Sequence, residues 1–164
     1  MNDAAARTAV RDLLIAHIPG LIPDNTLAAW DNRVPPPPGD YCLISVISRV
    51  RLSTNIASWS PDTQTLSLTQ AVNLTLQADF RGGLAQEWAE ALSTLWPSQI
   101  AADLLTPHGC QPLYAGDPRN LTAAEAEGRF EPRWLIELSA AATTRFAATL
   151  DYFEDVDLHT YPQL

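Results

Sequence analysis

The stretch of residues 64–96, which reads QTLSLTQAVNLTLQADFRGGLAQEWAEALSTLW, decides the fold. From Leu66 to Phe80 the apolar side chains fall on even positions, and the odd positions are mostly polar. Such alternation places one set of side chains on one face of a β-strand, so it predicts a long strand with one buried face. Gln70 interrupts the apolar set, and we expect a bulge or a bend at Gln70-Ala71.

The period of the apolar residues changes after Gly82-Gly83. They now recur three and four positions apart, at Leu84, Trp88, Ala91, Leu92, Leu95 and Trp96. This spacing forms one stripe of an amphipathic helix over residues 84–96. A strand with one apolar face followed by a helix with one apolar stripe predicts a sheet covered by a helix, with Trp88 in the buried layer.

Two further segments precede this unit at the start of the chain. Residues 4–18 are typical of a helix, because alanines and an apolar stripe follow Asp3, which can cap the helix. Residues 21–40 read as a linker, and Pro35-Pro36-Pro37-Pro38 within it predicts a stiff extended approach to the next strand.

The strand next to the central one is predicted from a nearly continuous apolar run, Tyr41–Ser48, which is typical of a strand covered on both faces. The alternating stretch Arg49–Ala57 is either the continuation of that strand or a second one. Ser58–Asp62 has the composition of a turn, and we expect it to lead into the central strand as a hairpin.

Downstream of residue 96 the chain predicts one more helix and further strands. Pro97 suits the first position of a short helix, Cys110–Leu113 is a short strand candidate, and Arg129–Ala142 alternates again. We place a last strand at Thr149–His159. The whole chain then reads as one α+β domain over 1–164, with a mainly antiparallel sheet of four to five strands and helices mostly on one face.

The composition excludes one class of partner. The chain has 164 residues, 46% of them hydrophobic, and a formal net charge of −9; all ten basic residues are arginines. Proteins that neutralise duplex DNA carry a basic patch, so DNA wrapping is not expected. No segment reaches the length of about 20 apolar residues that a membrane span needs, and no membrane partner is expected.

Catalytic and metal-binding patterns are weak. His108 and Cys110, with Asp103 nearby, are the one candidate for a small hydrolase or a metal site, and the ordinary alternative is a helix-to-strand turn. The carboxylates at 151–157 lack the glycine of a helix–loop–helix calcium site and favour a solvated acidic face. We therefore expect a protein that is not an enzyme and binds no cofactor and no metal.

Several short stretches together carry a family resemblance. They are Pro35–Tyr41, Arg49–Asn55, Leu74–Phe80, Ala89–Trp96, Gln111–Tyr114, Asp117–Arg119 and Glu131–Trp134. The combination resembles the neck or tail terminator proteins of tailed bacteriophages, mainly those with contractile tails. The resemblance covers about residues 30–162 and leaves out the N-terminal helix and linker at 1–25.

The resemblance implies a structural virion protein. Its members form a ring, usually a hexamer, that caps the tail tube and sheath and docks to the head-completion proteins at the neck. It implies no catalysis, assembly in the host cytoplasm, and DNA that passes through the lumen without specific binding. Three alternatives stay open: another head–tail connector or stopper, a cytosolic hydrolase using His108 and Cys110, and a monomeric module that offers its proline tract.

Two surfaces are candidates for the contact between ring subunits. One is the stretch from Arg49 to Ala57, where Arg49 and Arg51 would supply positive charge. The other is the loop 114–128, where Asp117 and Arg119 lie close to further acidic residues. Opposite charges on two different patches would set the register between subunits.

Overall fold

A computed structural model describes residues 2–29, 37–124 and 130–149. Its helices are α1 (Asp3–His17), α2 (Ala85–Leu95) and α3 (Gln99–Leu105), and a short 3-10 turn (Thr106–His108) follows α3. Its strands are β1 (Thr26–Ala28), β2 (Tyr41–Arg51), β3 (Ile56–Ser60), β4 (Thr65–Arg81), β5 (Cys110–Ala115), β6 (Arg119–Asn120), β7 (Ala123–Ala124), β8 (Phe130–Glu131) and β9 (Arg133–Thr149).

The sheet is larger than the sequence predicted. Seven strands form it, in the order β1-β2-β4-β9-β5, with β3 paired to β4 and β6 paired to β9; β7 and β8 form a separate pair. The expected four to five strands are therefore too few. The class is α+β as predicted, and the sheet is mostly antiparallel, but β1 runs parallel to β2 and makes it mixed.

β4 and β9 are the centre of the sheet. They pair without interruption over all 17 positions, from Thr65 opposite Thr149 to Arg81 opposite Arg133. The predicted bulge at Gln70-Ala71 is wrong, since the register with β9 is continuous there. β4 meets a register shift instead on its other neighbour, β2, between Val46 and Ser48, so Ile47 is the extra residue.

One face of this sheet carries the core. From Val72 to Phe80 the even-numbered side chains of β4 share a buried cluster with residues of all three helices, which confirms the predicted buried face over that part of the strand. Leu66 and Leu68 were predicted on the same buried face but lie outside the cluster. From the strands the cluster takes Cys42, Ile44, Val72, Leu74, Leu76, Ala78, Phe80, Cys110, Ile136, Leu138, Ala140 and Ala142. Trp88 is buried as expected; its indole Nε1 donates to the Pro19 carbonyl at 3.0 Å and its ring lies against Phe80.

The helix termini depart slightly from the prediction. Asn2, not Asp3, caps α1, and its side-chain oxygen accepts from the Ala5 N–H at 2.8 Å. Ser98 caps α3, so Pro97 precedes the helix and is not its first residue. The Ser98 hydroxyl accepts from the Ala101 N–H and so satisfies one of the free N–H groups at the start of the helix.

The remaining boundaries shift for physical reasons. Residues 56–60 form strand β3, and the turn follows at 61–64, because Trp59 and its neighbours pair with β4. β1 lies inside the expected linker; three residues are too few to show a period. β9 runs on to Thr149. From residue 150 onwards, the predicted strand Thr149–His159 lies outside the described residues. Pro35, Pro36 and the carboxylates at 151–157 also lie outside them.

Candidate functional site

Part of the sheet extends beyond the core. The buried side chains of β4 and β9 end at Val72 and Ala142, yet both strands continue to Thr65 and Thr149. At about 3.3 Å per residue, seven further residues carry the strands roughly 23 Å past the core. We call residues 50–71 together with 143–149 the arm; it contains β3 and the adjoining parts of β2, β4 and β9.

The arm exposes large apolar side chains on both of its faces. Val50 and Ile56 lie opposite Asn73 and Thr69, so they share the face that points away from the helices. They are 56% and 67% exposed. On the other face, Phe146 lies opposite Leu68 and is 62% exposed. Monomeric proteins rarely leave such a patch uncovered, so the arm is the best candidate for an assembly surface.

The two arginines proposed for this surface have partners within the chain. Arg49 lies opposite Leu74 on the helix side, and its Nε donates to the Asp3 carboxylate at 2.6 Å. With the Gln70 amide oxygen turned towards it, Arg51 donates to that oxygen at 2.6 and 3.0 Å. The bulge at Ile47 explains the orientation of Arg49 and Arg51, because one extra residue reverses which side chains face the helices.

Asp117 and Arg119 lie elsewhere on the sheet. Arg119 starts β6, and its guanidinium pairs with Glu137 of β9, while Asp117 is exposed just before it. Arg119 lies opposite Leu135 and Arg49 lies in the row of Ala140, so about 16 Å of β9 separates the two rows. The structure therefore does not bring the four predicted residues into one cluster.

A partly buried ion pair lies at the opposite end of the sheet, and the sequence did not predict it. The Asp79 carboxylate is nearly buried and accepts from Arg133 Nε at 2.9 Å and Nη2 at 2.8 Å. Arg81 Nη2 lies 3.6 Å from the same carboxylate, and its guanidinium carbon lies 5.9 Å from the centre of the Tyr41 ring. The hydrogen bonds that Arg133 donates to the Asp79 carboxylate raise the pKa of Arg133, and burial raises the pKa of Tyr41.

This ion pair is structural in kind. It joins β4 to β9 where the register ends, and a bidentate carboxylate–guanidinium contact fixes that register. In the sequence, Asp79 and Arg133 are polar residues on the exposed face of an alternating strand. The alternation does not show which strand lies opposite, so it does not reveal the pair. Only a known register of β4 against β9 could have revealed that Asp79 and Arg133 are neighbours.

The histidine–cysteine candidate has the wrong environment for catalysis. Cys110 is fully buried, and burial raises its pKa to about 11, so the thiol keeps its proton at neutral pH. A cysteine nucleophile needs the opposite shift, towards the thiolate. Across residues 2–29, 37–124 and 130–149, no three His, Cys, Asp or Glu side chains form a group that could hold a metal ion.

Two comparisons with known proteins bear on the family to which the chain belongs. The family model described as phage neck terminator protein matches residues 4–163, and so includes α1, which the resemblance had left out. A search of curated proteins found no match. No helix in the part of the chain that the structure describes could cross a membrane. Since the family model matches nearly the whole chain, the protein belongs to the phage neck terminator family and is a structural component of the phage neck.

Proposed function

We propose that the chain forms a closed ring of six copies that caps the tube and sheath of a contractile tail and joins the tail to the head-completion proteins. The observation that carries this proposal is the arm, whose two faces expose apolar side chains that the chain's own helices do not cover. A cyclic ring needs two different complementary patches on each subunit, and a projecting arm suits one of them.

Electron microscopy of the purified full-length chain tests the ring. We expect closed particles with a central channel and sixfold symmetry. Fields that contain only particles of single-chain size would contradict the proposal, because a terminator that never closes cannot cap a tube.

Most arginines among the described residues already bind carboxylates or backbone carbonyls of the chain. This bears on the passage of DNA. Arg81 and Arg133 pair with carboxylates, as do Arg49 and Arg119, and two arginines of α1, Arg7 and Arg11, donate to backbone carbonyls of the β1 region. Few guanidinium groups remain for phosphates in a chain with a net charge of −9. We propose that DNA passes through the ring lumen without specific binding, since like charge opposes adhesion.

Duplex DNA is therefore expected not to bind the purified ring at micromolar concentration and about 0.15 M salt. Fluorescence anisotropy of a labelled duplex measures this directly. Saturable binding that weakens steeply as salt rises would contradict the expectation, because that dependence reports released counterions at a basic patch.

A further inference from the structure

We propose that the outward face of the arm docks into the groove between α2 and α3 of the next copy in the ring. The outward face is the one that points away from the helices. The groove is shallow, about 580 Å³, and its lining includes Glu87, Glu90, Ala91, Leu95 and Ile100. The proposal rests on the proposed ring and names the two surfaces that close it.

The outward face combines apolar side chains with one positive charge. Val50 and Ile56 lie on this face, and so does Leu52, whose N–H donates to the Ala71 carbonyl. Arg145 lies opposite Thr69, which in turn lies opposite Ile56, so the three side chains form one row across the arm. Arg145 is exposed and makes no ion pair within the described residues.

The groove combines apolar side chains with negative charge. Ile100 is 50% exposed, and Ala91 and Leu95 line the groove beside it. Glu87 and Glu90 line the groove, and neither has a cationic partner among the residues that the structure describes. The Glu90 carboxylate accepts from the Gln86 amide at 2.9 Å.

The two surfaces therefore match in charge and in apolar character. An arginine flanked by aliphatic side chains meets two carboxylates flanked by aliphatic side chains, which favours association and fixes the register. The arm cannot reach the groove of its own chain with this face, because the face points away from the chain's own helices. The occupant of the groove is thus a second copy, and a head-to-tail contact of this kind is what a cyclic ring requires.

A charge exchange tests the contact. Arg145→Glu alone and the double variant Glu87→Arg/Glu90→Arg are each expected to raise the concentration needed for ring formation at least about tenfold. All three changes in one chain reverse both charges and are expected to restore the ring. Arg145→Lys keeps the charge and serves as the matched control. Light scattering gives the mass, and circular dichroism shows that each variant is folded.

The apolar part of the contact has its own test. Ile56→Asp places a charge on the outward face and is expected to release single chains. Ile22→Asp makes the same change at an isoleucine before β1 that is 51% exposed and lies away from the arm, and it should leave the ring intact. If the wild-type chain forms rings and the Arg145→Glu and Ile56→Asp variants form them equally well, this interface is overturned and the ring is not. A wild-type chain that stays monomeric overturns the ring and the interface together.

Discussion

Replacing Trp96 by alanine is expected to lower the free energy of unfolding by about 4–5 kcal/mol, near the upper end for a buried aromatic residue. Trp96 follows α2 directly, is fully buried, and is among the largest side chains in the core. Its indole Nε1 donates to the Ser139 carbonyl at 3.0 Å, so the helix layer is bonded to β9. The alanine variant would leave a cavity and a buried carbonyl that has lost this donor.

Two further variants, measured by urea unfolding, separate the loss of the hydrogen bond from the loss of the buried side chain. Trp96→Phe fills most of the volume but cannot donate, and is expected to cost about 1–2 kcal/mol. Tyr114→Ala removes an aromatic side chain that is mostly exposed, and is expected to cost less than about 1 kcal/mol. A Trp96→Ala variant as stable as Tyr114→Ala would show that the helices do not cover the sheet as described.

Replacing Gly82 by alanine is expected to cost about 3–4 kcal/mol or to prevent folding. Gly82 joins β4 to α2 with φ +99°, a value that costs an L-residue about 1–2 kcal/mol. A Cβ atom there would lie 1.8 Å from Asp40 Oδ1 and 2.9 Å from Asp40 Cα. The Asp40 side chain would have to move, and its hydrogen bond from the Gly83 N–H, now 2.7 Å, would be lost.

Gly109 provides the matched control for the stability loss expected of Gly82→Ala. Its φ is +71°, but no atom lies within 4 Å of its added Cβ, so Gly109→Ala should cost only the backbone strain of about 1–2 kcal/mol. Thermal unfolding of the two variants compares them under one condition. Equal losses would show that the contact with Asp40 does not constrain the turn between the sheet and α2.

The long regular elements could be predicted because each has a period that runs over many residues. β4 shows seven even-numbered apolar positions, and α2 shows a stripe through Trp88 and Leu92, so both lie within a residue or two of the predicted bounds. β1 could not be predicted in this way. It is three residues long, and it is held by backbone bonds to β2 such as that from Cys42 N–H to the Asn25 carbonyl.

The candidate site was predicted only in outline. The sequence indicated the stretch from Arg49 to Ala57 as a candidate contact surface, and the structure places residues 50–57 on the arm. The roles of Arg49 and Arg51 could not be predicted, because a bulge of one residue at Ile47 decides which face each side chain takes. Arg145 was missed because its neighbours on the arm come from strands far away in sequence.

The mass of the full-length chain in solution tests the central claim most directly. We expect light scattering to give one species with six times the 17.9 kDa mass of a single chain. This mass should not rise further as the protein concentration is increased. Such a fixed mass indicates closure, since a head-to-tail contact that does not close gives a series of lengths that grows with concentration. A mass of 17.9 kDa at every concentration would contradict the account.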